Sequence, residues 1–189
     1  MNLAGRVERH LAASLGRPAL VTDASDPSSG RAAAFRVATF DDQPVESAFT
    51  LVTLGLCERA LRDEEQTVRQ ELVVCAWNAF RDDALRHLLF ALGHFIAASG
   101  DAAAPGMVYE LPEPFVSGRQ WEHLFAFEPL YHDQRLGPFE DVQFVWLIPI
   151  TAEESAFIDA SGPASFDALL EEHDPDLLDL SRDSVVPRP

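Results

Sequence analysis

Val142-Gln-Phe-Val-Trp-Leu-Ile-Pro-Ile150 runs without a break into Thr151-Ala-Glu-Glu154, and this junction sets the architecture. The first nine residues, rich in β-branched and aromatic side chains, read as a strand, the last in the chain. Pro149 has no N–H to give to a ladder, so it belongs near a strand end or at an edge. Thr151 and Glu154 have the spacing of a capping box, Thr at the N-cap and Glu three residues on, so a helix opens where the strand stops. That helix carries Ala156, Phe157 and Ile158. Gly162-Pro163 breaks it. Ser165 is placed to cap a second helix with Phe166, Leu169 and Leu170, which Asp174-Pro175-Asp176 ends. Residues 181–189 read as a fraying tail.

Toward the N-terminus the same contrast of periods recurs. Phe49-Thr-Leu-Val-Thr-Leu-Gly-Leu56 and Glu71-Leu-Val-Val-Cys-Ala-Trp-Asn-Ala-Phe80 are apolar on both faces, as central strands are. Asp63–Gln66 is a charged turn between them. Phe35, Val37 and Thr39 alternate as in a short strand, and 22–30 is loop by composition. Met107–Leu111 and Arg119–Glu128 read as strands joined by a Pro-rich link, with Trp121, His123, Phe125 and Phe127 sharing one face of the second. Two stretches have helical spacing. In 2–15, Asn2 is the cap, Leu3, Val7, Leu11 and Leu15 form the stripe, and Gly16 stops the helix. In 83–98, Asp83 is placed to cap, Leu85, Leu88, Leu89, Leu92, Phe95 and Ile96 form the stripe, and Gly100 ends the helix. Strands and helices are interspersed without regular alternation. The expected class is therefore α+β, one mixed, mainly antiparallel sheet flanked by helices.

The chain has 189 residues, 31 Asp and Glu against 14 basic residues, and a formal net charge of -17. All 14 basic residues are Arg, a bias that fits a GC-rich bacterial genome. Such an acidic surface repels phosphate backbones and anionic headgroups, which disfavours nucleic acid and membranes as partners and favours a basic protein. No apolar run is long enough to span a bilayer, and Met1–Arg6 has no apolar signal-peptide core, so a cytoplasmic location is expected. Cys57 and Cys75 lie inside apolar runs and read as buried free thiols in a reducing compartment, a disulfide being open to them if their strands are adjacent.

Catalytic signatures are missing from the sequence: there is no GxSxG, P-loop, GxGxxG or HExxH. His87 and His94 share a helix face but stand roughly 10 Å apart along its axis, too far to bind one metal unaided. His123, His132 and Asp133 are the best set for zinc or acid–base chemistry, and a small hydrolase using His123, His132 and a carboxylate is the alternative reading. The adjacent acidic pairs, such as Asp41-Asp42 and Glu171-Glu172, diverge on one element and read as solvated faces and caps. No cofactor or metal is expected. Trp121, Phe125 and Phe127 read as core on their shared face, whereas Phe115, Tyr131 and Phe139 stand in loop-like contexts, where large aromatics commonly pack as loop lids and, when exposed, anchor partners. Phe115, Trp121, Tyr131 and Phe139 are the candidate partner contacts.

Four stretches together resemble the Suppressor of fused domain family. They are Thr50-Leu-Val-Thr-Leu-Gly-Leu56, followed by Cys57 where the family has Ser; Glu71-Leu-Val-Val74 with the amphipathic helix after it; Pro112-Glu-Pro-Phe115 before the aromatic strand; and Phe144–Glu154 followed by a Leu-Leu helix and Asp179-Leu-Ser-Arg-Asp-Ser-Val185. The resemblance covers about residues 3–186. It implies one α+β domain over 1–186, with 187–189 a tail, whose role is to bind other proteins without catalysis. Eukaryotic members hold a transcription factor with the help of a second domain, for which this chain is too short. Bacterial relatives are regarded as immunity proteins, so a toxin neutralised by direct binding is the expected partner.

Overall fold

Alternation along the strands sorts the apolar side chains onto two faces of one sheet, and each face has its own helical cover. The computed structural model describes residues 2–25, 32–111, 121–132 and 136–187. In chain order the elements are α1 (Leu3–Leu15), β1 (Leu20–Ser25), β2 (Ala32–Asp41), β3 (Ala48–Leu54), β4 (Leu61–Asp63), β5 (Gln66–Trp77), α2 (Asp83–Ser99), β6 (Val108–Glu110), β7 (His123–Phe127), β8 (Val142–Ile150), α3 (Ala152–Ser161) and α4 (Pro163–His173). The sheet order is β1-β2-β3-β5-β8-β7-β6, with β4 folded back on β5. Two antiparallel meanders, β1 to β5 and β6 to β8, are joined by the parallel pairing of β5 with β8, in which Val73 lies opposite Trp146. This is the mixed, mainly antiparallel α+β sheet expected.

The face covered by α1, α3 and α4 collects Ala38 and Phe40 from β2, Val73 and Cys75 from β5, and Phe144, Trp146 and Ile148 from β8. The opposite face collects Phe35 and Val37, Leu72 and Val74, and Val145 and Leu147, under α2. Neighbouring residues of one strand thus enter different cores, as a period of two requires. Helix α2 comes unusually near the sheet at Gly93, where a β-carbon would lie 2.5 Å from the Phe35 ring. Cys57 and Cys75 are both buried and unlinked. Among the described residues no helix is long and apolar enough to cross a membrane.

Several local expectations need correction. Asp82, not Asp83, is the N-cap of α2: its carboxylate accepts the Ala84 N–H, while Asp83 pairs with Arg86. Phe95, placed on the buried stripe, is 60% exposed, and Gly93 takes its place against the sheet. Ser165 lies within the first turn of α4, where its hydroxyl donates to the Ser161 carbonyl, and Gly162 occupies the cap. Part of the predicted loop 22–30 is strand, since Leu20–Ser25 pairs with β2. Residues 78–80 turn off β5 as a short 3-10 helix. The tail predicted over 181–189 is held in its first half: Arg182 pairs with Glu154, and the Val185 N–H donates to the same carboxylate, just after the buried Leu177, Leu178 and Leu180.

Candidate binding surface

Two buried carboxylates organise the regions around the sheet: Glu71, which reads as an ordinary strand residue, and Glu154, which the sequence marks only as a helix cap. Glu71 on β5 is fully buried. Its carboxylate accepts the Thr53 hydroxyl at 2.5 Å and the backbone N–H groups of Gly55 at 2.8 Å and Cys57 at 3.3 Å. Gly55, at φ 106°, makes the left-handed turn that aims these N–H groups inward. Burial pushes the Glu71 carboxyl up to about 7, against the pull of those hydrogen bonds. The same burial, reinforced by Glu71, raises the Cys57 thiol.

Glu154 is the second. Its capping box forms as expected, with the Thr151 hydroxyl accepting the Glu154 N–H and Glu154 accepting the Thr151 N–H. The carboxylate does more than cap, because it also accepts the Val185 N–H and both terminal nitrogens of Arg182. Arg182 in turn donates to the Pro149 carbonyl and lies 5.2 Å from the centre of the Trp121 ring, whose indole N–H donates to the Leu180 carbonyl. Trp121, just ahead of β7, is therefore buried inside a clasp between the last strand and the C-terminal segment.

Among the described residues the histidines do not gather into a chemical site. His123 sits half-buried on β7, opposite Glu110 on β6 and Ile150 on β8, and its Nδ1 has no hydrogen-bond partner among the described residues. His132 ends a short 3-10 turn, and Asp133 lies outside the described residues. His87 is exposed, while His94 tucks against the Phe35 ring at 5.2 Å. Among the described residues no three His, Cys, Asp or Glu side chains stand together as metal ligands would.

Of the aromatic candidates, Phe115 lies outside the described residues and Phe139 is half-buried, stacked on His10 with ring centres 4.3 Å apart. Tyr131 differs. It is 44% exposed, its ring packs 5.1 Å from that of Trp146, and its hydroxyl is held against the Leu177 backbone. It stands at the edge of a groove of about 600 Å³ between α4 and the β7–β8 face of the sheet. Phe125, Phe127 and Trp146 contribute aromatic walls, and Glu128, Asp167, Glu171 and Asp174 bring four carboxylates. One Asp167 oxygen is closed to solvent with no hydrogen-bond partner among the described residues. Burial raises the Asp167 carboxyl, with Glu171 and Glu128 adding to the shift. A larger, more apolar concavity lies between α2 and β6, where Phe95 and Met107 are exposed.

The model of the Suppressor of fused protein (SUFU) family matches residues 32–183. Immunity protein YqcF of Bacillus subtilis (strain 168) is 24% identical over 155 residues, covering 79% of this chain and 81% of that protein. A SUFU homologue from Neisseria gonorrhoeae FA 1090 has the same fold, with a TM-score of 0.79 at 19% identity over 98% of both chains. A chain of the Sufu–Fu complex superposes with a TM-score of 0.72 at 16% identity, over 96% of this chain and 91% of that one. Drosophila Suppressor of Fused gives 0.71 at 15% identity, over 95% of this chain and 50% of that one.

Proposed function

Because this chain belongs to the Suppressor of fused family, we propose that it works by binding another protein, without catalysis, and that the protein it binds is a basic toxin that it neutralises. The observation that carries this reading is the groove beside Tyr131: an exposed aromatic ring over aromatic walls, with carboxylates around them, is a surface built for contact. The relative named as an immunity protein supports the choice of toxin. The structure of a related chain in complex with Fu supports a protein as the ligand. The net charge of -17 favours a basic partner. The unit that binds is one domain over residues 1–186, acting in the cytoplasm, where two unlinked buried thiols are at home.

Co-expression tests the reading. The chain is produced together with each toxin-like product encoded in its own genomic neighbourhood, in a host that the toxin kills. Growth should return, and the two proteins should purify together in fixed proportion. Rescue without a complex would point to chemistry instead of binding, and failure to rescue against every neighbouring product would sink the toxin assignment.

A further inference from the structure

Building on the protein-binding reading, we propose that the groove between α4 and the β7–β8 face receives an arginine side chain of the partner, its guanidinium lying against Tyr131 and paired with the carboxylates of α4. Charge complementarity is the first ground. Glu128, Asp167, Glu171 and Asp174 line the groove, and among the described residues no Arg lines it to neutralise them. Asp174 caps the C-terminal end of α4, so the negative end of the helix dipole adds to the same field.

The second ground is an acid left without a partner. One Asp167 oxygen is closed to solvent with no donor to it among the described residues. The raised carboxyl of Asp167, shifted by burial and by Glu171 and Glu128, reports the same shortage of positive charge. A cation in the groove would offset that shortage through its charge on the carboxylate as a whole, without having to reach the closed oxygen.

Shape separates arginine from lysine. A guanidinium is planar, stacks on an aromatic face, and presents paired N–H groups that match a carboxylate, whereas an ammonium is a compact and strongly hydrated point charge. Tyr131 offers a half-exposed ring at the edge, packed on Trp146 so that it does not swing freely. At about 600 Å³ the groove is within the range of pockets that enclose small ligands, roughly 300–1,000 Å³, so a whole side chain fits.

The probe is N-acetyl-arginine methylamide, titrated into the full chain while the indole N–H resonances of Trp77, Trp121 and Trp146 are followed, each assigned with its Trp→Phe variant. Trp146 is the reporter, since its indole N–H has no acceptor among the described residues and its ring lines the groove. Arginine should give a saturable shift at Trp146 and leave Trp121 unmoved. The lysine derivative and the neutral citrulline isostere should bind at least about ten-fold more weakly, as should arginine to the Asp167→Asn, Glu171→Gln double variant. Thermal melts of that variant, expected to match the parent, show that it is folded. An equal response to citrulline removes the charge argument, an equal response to lysine removes the guanidinium, and the absence of a saturable shift at Trp146 overturns the site. The growth assay separates this from the broader reading. Rescue by the double variant as complete as by the parent would overturn the groove and leave protein binding intact. Arginine-selective binding without any rescue would do the reverse.

Discussion

Arg182 and Glu154 form an ion pair in which almost nothing is left to solvent: Nη1 lies 2.7 Å from Oε1, and the two side chains are 6% and 0% exposed. The pair fastens the segment after α4 to the end of β8, where the Pro149 carbonyl and the Trp121 ring complete the surroundings of the guanidinium. Removing one partner of a buried pair leaves the other charge uncompensated, which costs about 3–5 kcal/mol. Arg182→Ala should lose stability on that scale in denaturant melts. Adding Glu154→Gln to it should recover part of the loss, since the stranded charge goes with it. A loss under about 1 kcal/mol for Arg182→Ala would mean that water reaches the clasp.

Glu71 gives stability a pH dependence of predictable sign. Its carboxyl rises from 4.5 to about 7 on folding, so the folded protein holds that proton more tightly than the unfolded chain. Its contribution is full below the unfolded value and declines as the pH rises through the folded one. Glu71→Gln does not titrate. The stability gap between parent and variant should therefore move in favour of the variant between about pH 4.5 and pH 7.5, by on the order of 2–4 kcal/mol, and stay level outside that window. Chemical melts at stepped pH measure the gap, and a flat gap through the window would refute the shifted carboxyl.

The approach of α2 to the sheet predicts a clash. Alanine at position 93 would gain up to about 1 kcal/mol of helix propensity. It would also press a methyl into the Phe35 ring, which is itself held by Phe90 and His94. Overpacking a core costs about 1–3 kcal/mol, so Gly93→Ala should be destabilising in thermal melts and should be relieved by Phe35→Leu. On the same helix, Leu89→Ala should cost about 2–5 kcal/mol as a buried truncation. Phe95→Ala should change stability by less than about 0.5 kcal/mol, because its ring is already in solvent.

Charge predicts the kinetics of complex formation. With -17 on this chain, a basic partner is drawn in by a field that reaches about 8 Å at physiological ionic strength and about 3 Å at 1 M. Association should slow by about ten-fold or more across that range, while dissociation changes much less. Surface-based kinetics with the co-purified partner give both rates. An association rate indifferent to salt would remove steering from the account.

Much of the fold was legible because it rests on periodicity. The stripes of α1 and α2, the doubly apolar β3 and β5, and the Thr151–Glu154 capping box all announce themselves within a dozen residues. The errors came where tertiary contact overrides local pattern. Phe95 has the right spacing for the buried stripe, but the helix rotates to bring Gly93 against Phe35. The C-terminal segment has the composition of a tail, yet Arg182 finds a carboxylate 28 residues away. Glu71 reads as an ordinary strand residue because the N–H groups that hold it come from the turn at Gly55, on another strand's end. Tyr131 stands out by its loop context, whereas Glu171, which shares its groove, reads as part of a solvated helix face. Only the fold brings α4 over β7 and β8.

The parallel pairing of β5 with β8 has a consequence for a chain still leaving the ribosome. β1 to β5 form a meander whose partners are near in sequence, so it can assemble as soon as residue 77 is clear. The inner edge of β5 then waits for β8, about seventy residues later, to close it. During that interval Arg69–Val73, which the finished sheet pairs with β8 and buries from Gln70 onward, presents an unpaired row of backbone donors and acceptors. Such an edge recruits foreign strands. Translation stalled or terminated between residues 77 and 142 would release an adhesive half-sheet, so the yield of intact protein depends on how promptly β8 is delivered.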